Sequence, residues 1–357
     1  MTYQKFLNFK LTASIYFVRV WSRLNRIMNL HFGLTQSSFT GLTNSEVPFD
    51  GEYKILGRYS DSVVVSELSE STNSEIGFYI RGREIYQVND SICDLITGIA
   101  YSSNKKIVKE SSVWPHEYLA MTSIPVPIKS AIELISLDTH FLVLPSNGFY
   151  HWLIEDLPPF LHAAKLFPSA TVLVSEDAPD YVLSALGEVQ NRVMFKKRYV
   201  STKDLIFIDK GGNSGWPNPR DIATLRECFE KYLTKGKCGE KIYISRLNAT
   251  RSPKFEKLLI EMLEEKNWQI LDTANLTLPE QISAISSAKI LAGVHGAGLA
   301  NLIWLSANSK IIEISPTRQV NCFRRLAKIA DIEHFNYKYE TPDFDLDNLV
   351  GFLESLD

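Results

Sequence analysis

Ala288-Lys-Ile-Leu-Ala-Gly-Val-His-Gly-Ala-Gly-Leu-Ala-Asn-Leu-Ile-Trp304 and its sequel Lys310-Ile-Ile-Glu-Ile-Ser-Pro316 decide the fold of this 357-residue chain. Ile290 to Val294 is a short apolar run that reads as a buried strand. It stops at His295, Gly296, Ala297 and Gly298, residues too small and too flexible to extend a strand. From Leu299 the spacing of Leu299, Leu302 and Ile303 predicts a helix with one packed face. Strand, glycine turn and helix can set the open amides of a helix start toward an anion. A tight packing turn would explain a lone Gly-Ala-Gly; His295 adds an imidazole able to donate to a phosphate or a ribose. Glu313 follows a strand over Lys310 to Ile312, where its carboxylate could accept ribose hydroxyls.

A second anion site is needed, and it lies upstream. Lys241 to Ser245 reads as another strand, running straight into Arg246-Leu-Asn-Ala-Thr-Arg251. Guanidinium forks match phosphate oxygens and stay charged, so Arg246 and Arg251 can grip a diphosphate. Ligands of open α/β sheets sit at the carboxyl ends of strands. Arg246, His295 and Glu313 all fall at such ends, which together suggests a nucleotide-diphosphate site.

His295-Gly-Ala-Gly-Leu-x-Asn301, then Glu313, preceded by Ile-Ser-Arg246 and Arg251, resembles the donor half of glycosyltransferase family 61. The family's upstream His-Trp-Leu-x-acid-x-Leu-Pro motif stands here as His151-Trp-Leu-Ile-Glu-Asp-Leu-Pro158. The resemblance runs from about residue 142 to about 339 in the family's order. It implies a GT-B fold, two Rossmann-like domains facing a cleft, and inverting transfer from a nucleotide sugar, usually a UDP sugar. It also implies donor contacts from Arg246, Arg251, His295, Gly296, Ala297, Gly298, Asn301 and Glu313, with no bound metal. Pro159 departs from the family habit of an arginine after the Leu-Pro.

The composition, 45% hydrophobic and 22% charged, is that of an ordinary globular protein. A net charge of -3 argues against a general nucleic-acid binder. Cys93, Cys228, Cys238 and Cys322 are spread without a Cys-x-x-Cys pair, so neither a disulfide framework nor a zinc site is implied and a reducing compartment fits. Residues 1–30 stand apart: Lys5, Lys10, Arg19, Arg23 and Arg26 are basic, with no acidic residue between them. Phe17, Val20, Trp21, Leu24, Ile27 and Met28 share one helical face. The apolar run is too short to span a bilayer, and no convincing small-residue cleavage site follows it. A basic amphipathic helix of this kind lies on an anionic membrane surface or docks on protein. The first reading places the chain in the cytoplasm, peripheral on the inner face of the membrane.

The expected organisation is therefore α/β: helix and linker over 1–40, a β-rich acceptor-side domain over 41–215, a connection over 216–235, and a nucleotide-sugar-binding domain over 236–357. Between Tyr53 and Val88 short β-like runs alternate with turn residues, and Ser60 to Ser74 is polar enough for a loop. From His140 strands and helices alternate, as in a parallel sheet flanked by helices.

Inverting transfer needs a base for the acceptor hydroxyl and a stabiliser for the departing diphosphate. His151 and Glu155, four apart, share one helical face; Glu155 is the first choice of base, with His151 and Asp156 as alternatives. Pro158 and Pro159 would bend or end that helix. Asp343-Phe-Asp345 has an Asp-x-Asp spacing that could hold a divalent ion, yet its place before a last helix over Asp347 to Leu356 suits capping better. The expected partners are a nucleotide-sugar donor and a glycan or lipid-linked glycan acceptor, as in surface or capsular polysaccharide synthesis, with no cofactor and no metal. A nucleotide-sugar epimerase and a catalytically silent binding protein would share the same donor grip.

Overall fold

The computed structural model describes residues 53–68, 75–80, 82–102, 108–111, 132–146, 148–210, 214–233, 239–249, 252–316, 321–339 and 344–356. The expected basic helix in 1–30 lies outside the described residues, as do Arg251 and Asp343.

The first half is built on strands β1 (Tyr53–Ser60), β2 (Val63–Leu68), β3 (Glu75–Ile80), β4 (Arg83–Asp94), β5 (Ala100–Tyr101), β6 (Ile132–Leu134), β7 (Phe141–Val143), β8 (Thr171–Ser175), β9 (Val193–Lys196) and β10 (Tyr199–Ile208). One sheet runs β1-β4-β10-β7-β8-β9, with β5 beside β4 and β6 beside β10. Strands β10, β7, β8 and β9 are mutually parallel, as the alternation from His140 predicts. Every residue of β8 is buried, which is why its centre, Val172 to Val174, is apolar throughout rather than alternating.

Strand β4 pairs antiparallel with β10, and β1 antiparallel with β4, so these strands before residue 140 make the sheet mixed. One expectation is corrected here. Ser60 to Ser74 is not all loop, because Val63–Leu68 pairs with Glu75–Ile80 in a two-stranded sheet. Backbone pairing, which polar residues can supply as well as apolar ones, outweighs the composition there.

The second half holds β11 (Lys241–Ile244), β12 (Gln269–Leu271), β13 (Ile290–Val294), β14 (Lys310–Ser315) and β15 (Glu333–Lys338). All five are parallel, in the order β12-β11-β13-β14-β15. The order reverses between β11 and β13, and a crevice opens at such a switch point. Helices cover both faces. Ile242, Leu291, Leu299 and Leu326 belong to one apolar cluster, Tyr243, Leu259, Ile312 and Leu353 to another. The first cluster also takes in Leu142, Trp152, Leu153 and Val172 of the first half, so a continuous apolar layer joins the two sheets. Each fully buried large side chain in it stabilises the fold by roughly 1.5–3 kcal/mol.

The helix Pro219–Cys228, capped by Asn218, is anchored to the amino-terminal strands by a buried polar cluster. Asp221 accepts from the Tyr59 hydroxyl at 2.6 Å and pairs with the Arg83 guanidinium. Removing one partner of a buried pair strands the other. Asp221→Ala is expected to cost about 3–5 kcal/mol in urea denaturation. Asp221→Asn, which keeps an acceptor for Tyr59, should cost less; equal losses would show that the retained acceptor contributes nothing and that the charge paired with Arg83 carries the whole effect.

Candidate functional site

Strands β11 and β13, on either side of the switch point, end at Ile244 and Val294, and Arg246 and His295 follow just beyond. Arg246 leaves its strand under constraint: its N–H donates to Glu256 Oε1 at 2.6 Å, and Ser252 Oγ donates to Glu256 Oε2 at 2.6 Å. Glu256 is fully buried at the start of the helix Glu256–Glu265, so it staples the loop to that helix. The guanidinium then crosses to the next strand end, where Nη1 donates to the carbonyl of His295. A side chain on Gly296 would meet Arg246 Cζ at 2.8 Å, so a larger residue there would push the guanidinium from its place. Its backbone is extended and unstrained. Gly298 is tight for a similar reason, with Ile244 Cγ2 at 3.1 Å and Thr273 Oγ1 at 3.3 Å from an added Cβ.

The turn leads into a 3-10 helix, Ala297–Trp304, starting two residues before the expected helix at Leu299. Residues three apart eclipse in this geometry. The Trp304 indole N–H thereby reaches Asn301 Oδ1 at 3.1 Å, and Asn301 Nδ2 donates to Gly298 O at 3.1 Å and Gln281 Oε1 at 2.9 Å. Asn301 is fully buried with both ends of its amide engaged. Asn301, expected as a donor contact, is engaged here in holding the turn in shape from behind.

The expected strand end before Glu313 is corrected. Glu313 lies inside β14 rather than after it, fully buried. Oε1 takes His295 Nδ1 at 2.5 Å and Oε2 takes His334 Nε2 at 2.8 Å, so each oxygen is turned to an imidazole. Burial pushes this carboxyl up, but the hydrogen bonds and charge of His295 and His334 outweigh it and hold it below the ordinary carboxylate value. With Nδ1 committed, His295 keeps Nε2 for a ligand, and its side chain is 29% exposed.

The upstream motif forms a different helix from the one its spacing predicts. A turn of α-helix, Phe149–His151, passes into a π-helical turn, Trp152–Asp156, and then into the α-helix Leu157–Leu166. The Leu157 N–H bonds back five residues to Trp152 O. Pro158 and Pro159 therefore do not end the helix: they occupy the first turn of a new segment, where missing N–H groups cost nothing. π-turns of this kind gather at functional sites.

His151 and Glu155 share a face, as expected, with Nδ1 and Oε2 2.7 Å apart. Glu155 is buried and its Oε1 accepts from the Gly215 N–H at 2.7 Å. His151 is the more accessible, with its side chain 27% exposed against 8% for Glu155. Burial lowers the imidazole's proton affinity, but the hydrogen bond and charge of Glu155 more than restore it and set the net direction upward. Asp156 turns away into a buried pair with Lys210, beside Leu142, Phe160 and Ile206.

Sequence reasoning assigned no part to Ser214, Trp216, Arg325 or His334. Ser214 Oγ lies 3.3 Å from His151 Nδ1. Arg325, from the helix Cys322–Ile329, stacks 3.3 Å above the Trp216 ring and donates to Gly215 O at 3.3 Å. The second half thus grips the loop that carries the Glu155 contact. Tyr150 packs edge-on against Phe323 at 5.5 Å, and Phe323 against His295 at 5.3 Å. These rings bring the two histidine motifs together on one aromatic bridge. The alternation of His334, Asn336 and Lys338 with Phe335 and Tyr337 was a period-two signal that could have revealed β15.

Among the described residues no group of three His, Cys, Asp or Glu side chains is placed to hold a metal ion. Asp345 accepts from the Asp347 N–H and caps the helix Leu346–Glu354, as its position suggested. Among the described residues no helix is long and apolar enough to cross a membrane.

Residues 149–312 match the family model described as Glycosyltransferase 61. The match opens at the His151 turn and closes in β14, so it takes in both histidine motifs. No curated protein matches the chain.

Proposed function

We propose, from the resemblance of residues 149–312 to glycosyltransferase family 61, that the glycosyl transfer this family implies is performed here by an inverting enzyme of GT-B type. The donor is a nucleotide-diphosphate sugar, a UDP sugar in this reading. The acceptor is a glycan or lipid-linked glycan in surface or capsular polysaccharide synthesis. The observation that carries the reading is the convergence of Arg246, His295 and the Gly296–Gly298 turn at the switch point of a parallel sheet. There a guanidinium, an imidazole and the start of a 3-10 helix can share one diphosphate.

On the acceptor side, His151 is the base and Glu155 holds its tautomer. With Nδ1–H given to the carboxylate, Nε2 keeps the lone pair that takes the hydroxyl proton. The sugar then inverts as the diphosphate leaves, and its developing charge meets Arg246 and His295. No metal is invoked. The basic segment 1–30 is proposed to hold the enzyme at the cytoplasmic face of an anionic membrane.

A thermal-shift screen of nucleotides tests the donor class. A ligand at 100 times its Kd stabilises the fold by about 2.7 kcal/mol, which raises Tm by several degrees. UDP and UDP sugars are expected to do so, while CMP and GDP leave Tm unchanged. Absence of a shift with every nucleoside diphosphate would remove the donor site.

A further inference from the structure

We propose that His334, on the edge strand β15, is a positioning residue that sets the state of His295 through Glu313. The inference rests on the donor-site reading for its effect on turnover, but the relay itself stands on geometry.

Strands β14 and β15 are parallel, with Ile311 opposite His334 and Glu313 opposite Asn336. His334 and Glu313 therefore sit diagonally on one face, and Nε2 spans the 2.8 Å to Oε2. β15 lies at the end of the sheet, with β14 between it and β13, whose end carries His295. His334 acts on the site by way of the carboxylate.

The carboxylate has no water to turn to, since its side chain is 1% exposed. A buried carboxylate stays ionised only when its oxygens are satisfied. His334 supplies Oε2, and this leaves Oε1 wholly to His295 Nδ1. The bond fixes the proton of neutral His295 on Nδ1 and gives Nε2 to the ligand side. Phe323 closes one side of the ring at 5.3 Å. Without His334, Oε2 is left bare in the core. Glu313 then takes up a proton or rotates toward another donor, and His295 loses its anionic partner.

The test uses the full chain labelled with ¹⁵N-histidine, with the His295 signal among the seven histidines assigned from His295→Gln. Wild type is expected to show His295 protonated on Nδ1. His334→Gln, which can still donate an N–H to Oε2, should keep that signature and stay within about threefold of wild-type turnover. His334→Leu should shift His295 toward the Nε2-protonated form and lower kcat/KM for the donor by roughly 10–100-fold, the range carried by outer partners of working histidines.

An unchanged His295 signal in His334→Leu overturns the proposal. So does an equal loss of turnover in the Gln and Leu variants with the signal unmoved, which would mark a merely structural role. Should His334→Leu fail to fold, Glu313→Met carries the test: it leaves His295 Nδ1 without its acceptor, so the same tautomer change is required, and an unchanged spectrum refutes the relay. A moved signal with donor turnover intact keeps the relay and sinks the donor-site reading instead, so the two failures are distinct.

Discussion

Arg246→Ala is expected to lower kcat/KM for the nucleotide sugar by roughly 10²–10³-fold, the loss seen when one preorganised group that meets a developing anion is removed. The guanidinium is held at both ends of its reach: Glu256 fixes the backbone where it leaves β11, and the His295 carbonyl receives its Nη1. Little is reorganised when the diphosphate arrives, which is the condition under which such a group is most effective. The loss should fall on kcat as well as on donor KM, because charge on the diphosphate grows as the sugar departs. Arg246→Lys should recover only part of it, since an ammonium lacks the planar fork. Steady-state kinetics with the donor identified by thermal shift provide the measurement. Turnover within threefold of wild type in Arg246→Ala would detach the diphosphate from this strand end.

His151→Ala is expected to cost roughly 10²–10⁴-fold in kcat, the usual contribution of a positioned base. The pH profile gives a sharper reading. A base must be neutral to act, so kcat rises with pH through the imidazole's titration. Burial alone would move that rise to lower pH, but the bond to Glu155 reverses the direction, and the acid limb is expected above the ordinary imidazole value. Glu155 is itself pushed up by burial, against the pull of His151 and the Gly215 N–H. The pair titrates as a unit, with the shared proton resting on the imidazole. Glu155→Gln keeps the shape and removes the charge. Its acid limb should therefore move to lower pH, with a fall in the plateau because the base is weaker. If turnover survived in His151→Ala and vanished in Glu155→Gln, the base would be Glu155.

Both predictions concern side chains that local pattern singled out, and the reason is physical. A strand that ends in a glycine turn, or in a pair of arginines, announces itself within a few residues. So does a histidine four positions before a glutamate. Boundaries between elements were less legible. The π-turn at Trp152–Asp156 left no mark in the spacing, since one extra residue in a turn shifts the apolar pattern only slightly. Strand β15 carries an alternation that was there to be read. The buried pairing of Asp221 with Arg83 and Tyr59 had no local trace, because its members come from β1, β4 and a helix far along the chain.

From its residues alone this protein was determined to be α/β, to carry Arg246 and His295 at the carboxyl ends of strands, and to resemble one family of glycosyltransferases. Those features depend on periodicity, on glycine's lack of bulk and on motif spacing, all short-range properties of the chain. Only the tertiary structure decided what each polar group is for. It gave Glu313 to two imidazoles and Asn301 to Trp304 and Gln281, and it turned Asp156 toward Lys210 and away from His151. It also joined His151 to His295 through Tyr150 and Phe323. A buried donor or acceptor must be satisfied by whatever the fold places beside it, and that neighbour is chosen by packing between distant elements, which no local pattern encodes.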